Sequence, residues 1–361
     1  MSSSILYENS SATITILDIP RSIELAQGSA RSQRLISSKP LEHPYLSVEP
    51  KSAKAKAAIG ATPLEDLLLR KHLEFALDEV KVEYKGPWYL PRSTDDIAAV
   101  AEMLPENNDA NRLAGTTRDD VRDETNHVHL AKDCSFFHNS KPEYVNVVLP
   151  NGAKGFIPPN STSIGGDISA TLSLFVENAP KFDIILLDPP WPNRSARRKN
   201  SYSISYGNSD IRTLLSSIPL YEHLADDGYV AVWITNKPSI REMVVGEGGL
   251  FEEWGVQLTE EWIWLKVTSN GEPIFPLDST WRKAYEVLLV GRRGGGHAKK
   301  RVILAVPDLH SRKPNLKSLL EKMAGVEYSS CLEIFARSLT AGCWSWGNEV
   351  LKFQNAEHWV I

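Results

Sequence analysis

Four consecutive residues, Asp188-Pro189-Pro190-Trp191, combine a carboxylate, two prolines and a large aromatic ring. Two prolines in a row fix two φ angles, remove two N–H donors and restrict the preceding aspartate. The result is a rigid rim of carbonyl acceptors beside one carboxylate and one aromatic face. Such a rim suits a flat substrate that carries an NH2 group. Taken alone, the tetrapeptide would more simply be a strand terminator with a surface tryptophan, so other parts of the chain must decide.

The tetrapeptide follows a short apolar run at residues 182–187 (FDIILL). A run of this length, rich in Ile and Leu, predicts a buried strand of a parallel sheet. Asp188 would then lie just past the carboxyl end of the strand, where open α/β sheets bind their ligands. Helical segments alternate with further predicted strands at residues 229–234, 258–267, 286–290, 301–306, 331–335 and 350–353. This alternation predicts an α/β fold with a twisted, mostly parallel sheet and helices on both faces.

The composition is that of an ordinary globular protein, with 361 residues, 42% hydrophobic, 24% charged and a net charge of −5. This charge excludes a generally basic nucleic-acid binder of the histone type, but it is compatible with a local basic patch. Three cysteines, Cys134, Cys331 and Cys343, cannot form a disulfide framework, which indicates a reducing compartment. The sequence has no run of 18 apolar residues and no signal-peptide pattern, so we expect a soluble intracellular protein.

Two common nucleotide-binding motifs are missing from the sequence. No G-x-G-x-x-G follows a first strand, which argues against a dinucleotide-dependent dehydrogenase. No G-x-x-x-x-G-K-[ST] occurs, which argues against a P-loop NTPase.

We predict two regions, a mixed N-terminal region at residues 1–143 and the main domain at residues 144–361. In the first, Thr62 to Glu65 form a capping-box pattern that opens a helix to about Val82, and a second helix is predicted at residues 95–104. Residues 105–141 are polar and aperiodic, which predicts a long loop. This loop carries four groups that could bind zinc, but their spacing matches no standard zinc pattern and solvated histidines are the simpler interpretation. They are His127, His129, Cys134 and His138.

An acidic-Pro-Pro-aromatic tetrapeptide at one strand end, with residues 332–337 (LEIFAR) at a late strand end, resembles the permuted amino-methyltransferases. The likeness is more specific to the METTL-type adenine-N6 methyltransferases, whose catalytic motif is identical to residues 188–191. Three further stretches resemble the methyltransferase-like protein four branch: residues 270–279 (NGEPIFPLDS), 310–316 (HSRKPNL) and 345–354 (SWGNEVLKFQ). The resemblance covers roughly residues 144–361. It implies a Rossmann-like, permuted class-I-type methyltransferase domain, with residues 1–143 as an accessory region.

The resemblance also implies how the tetrapeptide works. The target nitrogen of adenine is a poor nucleophile because its lone pair is delocalised into the ring. The Asp188 carboxylate and the Pro189 carbonyl would hold both N–H groups and aim the lone pair at the sulfonium methyl. Pro190 completes the rigid motif, and Trp191 or another aromatic residue could stack on the base. The proton would be lost late, so Asp188 need not be a strong base.

By the same resemblance the cofactor is S-adenosylmethionine, the product is S-adenosylhomocysteine, and no metal is required. Lys313 would pair with the methionine carboxylate, while Arg337 and Asn348 would bind the ribose and adenine side. Asp167 would contact the cofactor, although a helix N-cap is its alternative role. The full set of expected cofactor contacts is Asp167, Ile168, Asp188, Lys313, Arg337, Thr340, Asn348 and Glu349.

The substrate side is predicted from basic and aromatic residues near the motif. The expected contacts are Asn193, Arg194, Arg198, Lys199, Tyr206, Trp281, Lys283 and Tyr285. The basic run that directly follows the tetrapeptide could hold phosphates. A second basic cluster fits phosphate binding and a solvated loop equally well; it consists of Arg292, Arg293, Lys299, Lys300 and Arg301. An adenine inside a duplex cannot reach Asp188, so the substrate must be single-stranded or flipped.

The branch resemblance implies an RNA substrate, in particular an internal adenosine, often already 2′-O-methylated, in a spliceosomal small nuclear RNA. Methylation of adenine in DNA is the nearest alternative. The alternative from another class is a catalytically silent RNA-binding subunit, since a partner subunit of this family has an altered tetrapeptide. We expect the protein in the nucleus, with the cytoplasm as a second location, and as a monomer without an obligate protein partner.

Overall fold

The computed structural model describes residues 3–28, 33–46, 63–94, 128–130, 135–192, 207–279, 282–296, 298–309, 312–327 and 329–360. The predicted helix at residues 95–104 lies outside the described residues, as do His127 and Cys134. Within these ranges, no helix combines the length and the apolar composition needed to cross a bilayer.

The described chain contains sixteen strands and eight α-helices. The strands are β1 Ile5–Glu8, β2 Ile14–Leu17, β3 Arg34–Leu35, β4 Val128–His129, β5 Phe136–His138, β6 Val145–Val148, β7 Lys154–Ile157, β8 Thr162–Gly165, β9 Phe182–Leu187, β10 Leu224–Ile234, β11 Gln257–Lys266, β12 Tyr285–Arg292, β13 Lys299–Ala305, β14 Cys331–Ile334, β15 Cys343–Gly347 and β16 Trp359–Val360. The helices are α1 Ile19–Ala26, α2 Leu64–Glu83, α3 Ile168–Asn178, α4 Asn208–Ser217, α5 Leu220–His223, α6 Pro238–Val245, α7 Leu250–Glu253 and α8 Lys317–Ala324.

One large sheet organises the molecule. Its eleven strands follow the order β1-β2-β13-β11-β12-β10-β9-β14-β15-β8-β5. Eight of them run in the same direction, and only β1, β12 and β5 are reversed. The predicted α/β fold with a mostly parallel sheet is therefore confirmed, and β9 occupies a central position as expected. The carboxyl ends of β8, β9, β14 and β15 lie side by side at one edge.

The sheet is covered on both faces. On one face Ile185 and Leu187 of β9 belong to a core that includes Phe175 of α3 and Ile211 of α4. On the other face Ile184 belongs to a second core with residues of α1 and α8. This three-layer arrangement follows from the alternation of side chains along a strand that is apolar on both faces.

Residues before position 144 extend the sheet at both ends. Strands β1 and β2 pair at one end through β13, and β5 pairs with β8 at the other end. Helix α2 contributes Leu73, Leu77 and Val80 to the first core. The predicted boundary between residues 143 and 144 therefore does not coincide with an edge of the sheet.

Two local predictions near the C-terminus need correction. The strand predicted at residues 350–353 is wrong, because this segment forms a 3-10 helix at Lys352–Gln354. Its end is fixed by Gln354, whose buried side chain donates to the Phe156 carbonyl (3.1 Å) and accepts from the Leu339 N–H (3.0 Å). Strand β15 was not predicted, since its five residues (CWSWG) are few and include glycine.

A disulfide joins Cys331 and Cys343, so two of the three cysteines are paired. The two residues begin β14 and β15, and parallel pairing places them directly opposite each other. Their Cα atoms are 4.9 Å apart, within the range that a disulfide spans. The pairing could not be foreseen without β15.

Candidate active site

Four strand ends converge at the carboxyl edge of the sheet, and each is followed by residues that the sequence singled out. Asp188 follows β9, and its N–H donates to the Ile334 carbonyl at the end of β14 (3.3 Å). Gly166 follows β8, and its N–H donates to the Gly347 carbonyl at the end of β15 (3.3 Å). These bonds fix the loops that carry Asp167, Asp188, Arg337 and Asn348 along one rim.

The tetrapeptide is held rigidly by its own tryptophan. The Trp191 indole N–H donates to the Trp233 carbonyl of β10 (2.6 Å), and the ring packs into the first core with 9% exposure. The Trp191 backbone N–H donates to the Pro189 carbonyl (2.8 Å). A carbonyl oxygen has two lone pairs, so the Pro189 carbonyl can still accept one further bond. The structure thus gives Trp191 a positioning role in the tetrapeptide, and stacking on a base by Trp191 or another aromatic residue stays a prediction.

Lys313 connects Asp188, which follows β9, to Glu286 of β12, which lies two strands away in the sheet. Its ammonium lies 3.3 Å from an Asp188 carboxylate oxygen and 2.6 Å from a Glu286 carboxylate oxygen. It also sits 4.5 Å from the centre of the Trp233 ring. Burial disfavours the charged form of the lysine, but Asp188 and Glu286 outweigh it and raise the pKa of Lys313. The lysine is therefore a fixed cation that orients the Asp188 carboxylate.

The loop that carries Lys313 is held from three sides. The Asn315 backbone N–H donates to the hydroxyl oxygen of Ser22 in α1 (3.0 Å). The side-chain amide of Asn315 donates to the Thr340 hydroxyl oxygen (2.8 Å). Arg312 donates to the Ile36 carbonyl (2.8 Å). These bonds tie the loop to both the N-terminal residues and the loop after β14, so Lys313 has little freedom.

Glu286 of β12 is the partner that the sequence did not reveal. Burial alone would raise the pKa of this carboxyl, but Lys313 and Lys266 lower it to about 2. Lys266 is hydrogen-bonded to the other Glu286 oxygen. The site therefore contains a row of alternating charges, Lys266, Glu286, Lys313 and Asp188, that begins on β11 and ends at the catalytic rim.

A cleft of about 860 Å³, part of it open to solvent, lies below this rim between the sheet and helices α1 and α8. Apolar walls come from Ile184, Leu186, Trp233 and Leu320, and polar groups come from Asp188, Lys313, Glu333, Arg337 and Thr340. Four of the predicted cofactor residues, Asp188, Lys313, Arg337 and Thr340, thus line one cavity.

Glu333, in the middle of β14, is the second functional residue that sequence reasoning missed. Burial raises the pKa of Glu333 to about 7, and the Asp188 charge adds to the rise, whereas Arg337 and Lys313 oppose it. A buried carboxyl that faces a cleft is suited to accept hydrogen bonds from a cationic or hydroxyl-bearing ligand. Its position in the motif LEIFAR was a signal, because alternate residues of a strand face the same side.

Glu333→Gln is expected to raise the free energy of unfolding of the ligand-free protein at pH 8 by on the order of 3 kcal/mol. At pH 4.5 the same substitution should leave the free energy of unfolding unchanged. The folded-state pKa of Glu333 lies above the unfolded value, so the wild type loses stability as pH rises from 4.5 through 7. Urea unfolding at both pH values measures the difference. Glu327→Gln, at an exposed position after α8, is the control. An equal effect of the Glu333 substitution at both pH values would contradict the raised pKa.

The remaining predicted cofactor residues lie on the same rim. Asp167 caps α3, because its carboxylate accepts from the N–H groups of Ser169 (2.9 Å) and Ala170 (3.3 Å). Ile168 is buried as the first residue of that helix. The capping role fits the alternative given to Asp167, and its second carboxylate oxygen can still face a ligand.

Arg337 and Glu349 face each other across the rim at 3.2 Å, and Lys352 pairs with the other Glu349 oxygen at 2.8 Å. Asn348 is exposed beside them. A guanidinium, a carboxylate and an amide in this arrangement can bind the hydroxyl groups of a ribose.

Of the predicted substrate residues, the structure describes two. Lys283 forms an ion pair with Asp66 of α2 (3.2 Å), and Tyr285 is buried beside them, where burial and then the Asp66 charge raise the pKa of its hydroxyl to about 12. Asn193, Arg194, Arg198, Lys199, Tyr206 and Trp281 lie outside the described residues. Helix α2 therefore contacts the segment that carries two of the predicted substrate residues.

The second basic cluster has acidic partners. Arg292 pairs with Asp227, Arg293 with Asp226, Lys300 with Glu261 and Arg301 with Glu260. These pairs favour a structural surface over a phosphate site. In the ranges that the structure describes, no group of three or more His, Cys, Asp and Glu residues is placed to hold a metal ion.

An acidic tetrapeptide at the central strand end, above a cleft of mixed charge in a mostly parallel sheet, defines a Rossmann-like methyltransferase domain. The family model described as MT-A70 matches residues 182–349. The chain is 40% identical to the N6-methyladenosine RNA methyltransferase MTA1 of Cryphonectria parasitica, over 99% of this chain and 94% of the relative.

Two other relatives are similar over a smaller share of their length. The N(6)-adenine-specific methyltransferase METTL4 of Mus musculus is 32% identical, over 83% of this chain and 65% of the relative. The DNA N6-methyl methyltransferase of Caenorhabditis elegans is 32% identical, over 58% of this chain and 56% of the relative. The chain belongs to the MT-A70 family, as predicted, and is an adenine-N6 methyltransferase. Methyltransferases of this family use S-adenosylmethionine.

Proposed function

We propose that this enzyme transfers the methyl group of S-adenosylmethionine to N6 of an internal adenosine in RNA, and that its target is a 2′-O-methylated adenosine of a spliceosomal small nuclear RNA. The observation that carries the catalytic part is the Asp188 carboxylate, fixed by Lys313 at the carboxyl edge directly above the cleft. The word RNA in the name of the Cryphonectria relative supports the substrate class. The small nuclear RNA target rests on the sequence resemblance.

The chemistry of the cleft fits the cofactor. S-adenosylmethionine supplies a methyl group on a sulfonium and also carries an ammonium, a carboxylate and a ribose diol. Asp188 and Glu333 offer carboxylates to its cationic groups, and the Arg337–Glu349 pair offers partners to the ribose. Lys313 is the proposed partner of the cofactor carboxylate, and Asp167, Ile168, Thr340 and Asn348 complete the set.

The rim supplies the acceptors that the reaction needs. The Asp188 carboxylate and the free lone pair of the Pro189 carbonyl can accept both N–H groups of the adenine amino group. As the lone pair of N6 forms the new N–C bond, the bond between the transferred methyl group and the sulfonium sulfur would break and leave S-adenosylhomocysteine. Positive charge then develops on N6, and the Asp188 carboxylate stabilises it. The Trp191 bonds keep both acceptors in place. The proton then leaves the methylated nitrogen for solvent.

Methylation of DNA is the alternative that one observation favours, since the Caenorhabditis elegans relative is named as a DNA methyltransferase. Both substrates present the same amino group, so the rim cannot distinguish them. The silent-subunit alternative loses its support, because the chain has an intact tetrapeptide and a cleft with suitable cofactor ligands. We also propose that the enzyme works as a monomer in the nucleus, where spliceosomal RNA is found, with the cytoplasm as a second location.

The substrate proposal predicts that single-stranded RNA is methylated at N6 faster than DNA of the same sequence. The experiment uses three oligonucleotides with one central adenine: RNA, RNA with a 2′-O-methyl group on that adenosine, and DNA. Nucleoside mass spectrometry after digestion measures N6-methylated product. The highest kcat/KM is expected for 2′-O-methylated RNA.

Equal turnover of the two RNA substrates would remove the 2′-O-methyl requirement, and faster turnover of DNA would favour the alternative. A duplex with the same adenine serves as control, because pairing hides the amino group and should suppress the reaction.

A further inference from the structure

An aromatic and cationic stack is exposed on the rim beside the active site. The rings of Tyr45 and Phe275 have centroids 5.2 Å apart and planes inclined by 29°. The Arg282 guanidinium lies 5.6 Å from the centre of the Phe275 ring. Tyr45 is 53% exposed, and Arg282 is exposed as well. We name Tyr45, Phe275 and Arg282 the rim stack.

The rim stack lies on the catalytic side of the sheet. Phe275 and Arg282 belong to the loop between β11 and β12, which opens at the carboxyl edge because β12 runs antiparallel to β10 and β11. Arg282 precedes Glu286 by four residues, which is roughly 13 Å of extended chain. Glu286 bonds to Lys313, and Lys313 bonds to Asp188.

Tyr45 is held in place by the backbone around it. The Tyr45 N–H donates to the Ile274 carbonyl (2.9 Å), and the Ser269 N–H donates to the Leu41 carbonyl (2.8 Å). Trp88 packs so closely on Gly271 that a Cβ there would lie 2.2 Å from its ring. The segment that carries Tyr45 is thus tied to the loop between β11 and β12 by two backbone hydrogen bonds, and the half-exposed Tyr45 ring stacks on Phe275, so its position is partly set before a ligand binds.

We propose that the rim stack binds a nucleotide that flanks the target adenine of a single-stranded substrate, with its base on Tyr45 and its phosphate at Arg282. This proposal rests on the proposed function, because it extends the same nucleic-acid site. Aromatic faces stack on any base, so the contact contributes affinity without strict sequence preference. Arg282 adds one cation at the position where the backbone of the stacked nucleotide would run.

The acidic neighbours of the rim stack indicate why stacking carries the contact. Glu42, Glu272 and Asp278 belong to the same two segments, and all three are exposed. A surface with this balance of charge does not attract phosphates along its whole length. The affinity should therefore depend on the Tyr45 ring and show only a weak dependence on salt.

The test measures the Kd of a single-stranded RNA nonamer with one central adenine for the full-length protein. Tyr45→Ala is expected to weaken binding about tenfold, and Tyr45→Phe to preserve it, because stacking on one aromatic ring contributes at this level. Arg282→Ala should reduce the slope of log K against log salt by about 0.7, the value for one phosphate of a single strand.

Tyr221→Ala is the matched control. Tyr221 is 56% exposed and has the Arg293 guanidinium 4.4 Å from its ring centre, but it lies before β10 at the opposite edge of the sheet. The Kd of S-adenosylhomocysteine, measured by calorimetry, should be the same in all variants if they are folded. The proposal that the rim stack binds RNA would be contradicted if the Kd of Tyr45→Ala for the nonamer lay within twofold of the wild-type Kd. An equal loss of RNA affinity in Tyr221→Ala would contradict it as well.

The two proposals fail in different ways. Wild-type protein that binds the nonamer through Tyr45 but forms no N6-methylated product would contradict the proposed function and keep the rim stack. Wild-type protein that methylates the nonamer without any dependence on Tyr45 would contradict the rim stack alone.

Discussion

Asp188→Asn is expected to lower kcat for methyl transfer by on the order of 10²–10³-fold while the Kd of S-adenosylhomocysteine changes little. The amide keeps the shape of the side chain, but it loses the charge that stabilises the developing cation on N6. The asparagine side chain also presents its own NH2 group, a donor, to the adenine amino group, whose N–H groups need an acceptor. Asp188→Ala removes the acceptor altogether and should abolish turnover. Single-turnover kinetics with saturating cofactor separates the chemical step from binding.

The fold should survive both substitutions, because Lys313 still has Glu286 as its partner. Asp183→Asn on the same strand is a control that lies away from the rim, where its carboxylate accepts from the Ser330 N–H (2.8 Å). Substantial turnover by Asp188→Ala would remove the central catalytic assignment.

Lys313→Met is expected to abolish turnover and to lower the free energy of unfolding by about 3 kcal/mol, the lower end of the range for a broken buried pair. The lower end applies because Lys313, Asp188 and Glu286 each keep a fifth or more of their side chains exposed. The change leaves two carboxylates facing each other without their shared cation. Urea unfolding and the methyl-transfer assay measure the two effects.

The pH dependence of this variant follows from Glu286. In the wild type its folded-state pKa of about 2 lies below the unfolded value, so its stabilisation is present above pH 4.5 and is lost as pH falls toward 2. Removal of Lys313 raises that pKa and reduces the stabilisation. The stability gap between wild type and variant should therefore narrow below pH 4.5.

Lys266→Met is the matched control, because Lys266 also pairs with Glu286 but does not contact Asp188 in the described contacts. It should destabilise the protein less and keep most of its turnover. Equal loss of turnover in both variants would show that Glu286, rather than the Lys313–Asp188 pair, determines catalysis.

The central strand and its tetrapeptide could be predicted because their signals are local. An apolar run with a Pro-Pro end needs no partner to be identified as a buried strand. The structure places Asp188, Lys313, Arg337 and Thr340 around one cleft, while their contacts with the cofactor stay predictions. The choice of these residues came from the resemblance to a family and not from spacing alone.

The interactions that were missed all depend on pairing between distant segments. Glu286 and Lys313 are separated by a strand and a loop, and nothing in either sequence indicates that they meet. The bond from the Trp191 indole N–H to the Trp233 carbonyl was also missed, because only the fold brings these two residues together. The disulfide between Cys331 and Cys343 required the register of two strands, one of which had no clear pattern.

The strand order of the sheet also determines when the protein can fold. β14 and β15 lie between β9 and β8, although they follow β9 by well over a hundred residues in the chain. A nascent chain that ends before residue 331 therefore lacks β14, the neighbour of the catalytic strand on that side, and also β15, which joins β14 to β8. Contacts of such long sequence separation form slowly. The catalytic rim should consequently assemble only after the last strands leave the ribosome, so the enzyme has no active form before its synthesis is complete.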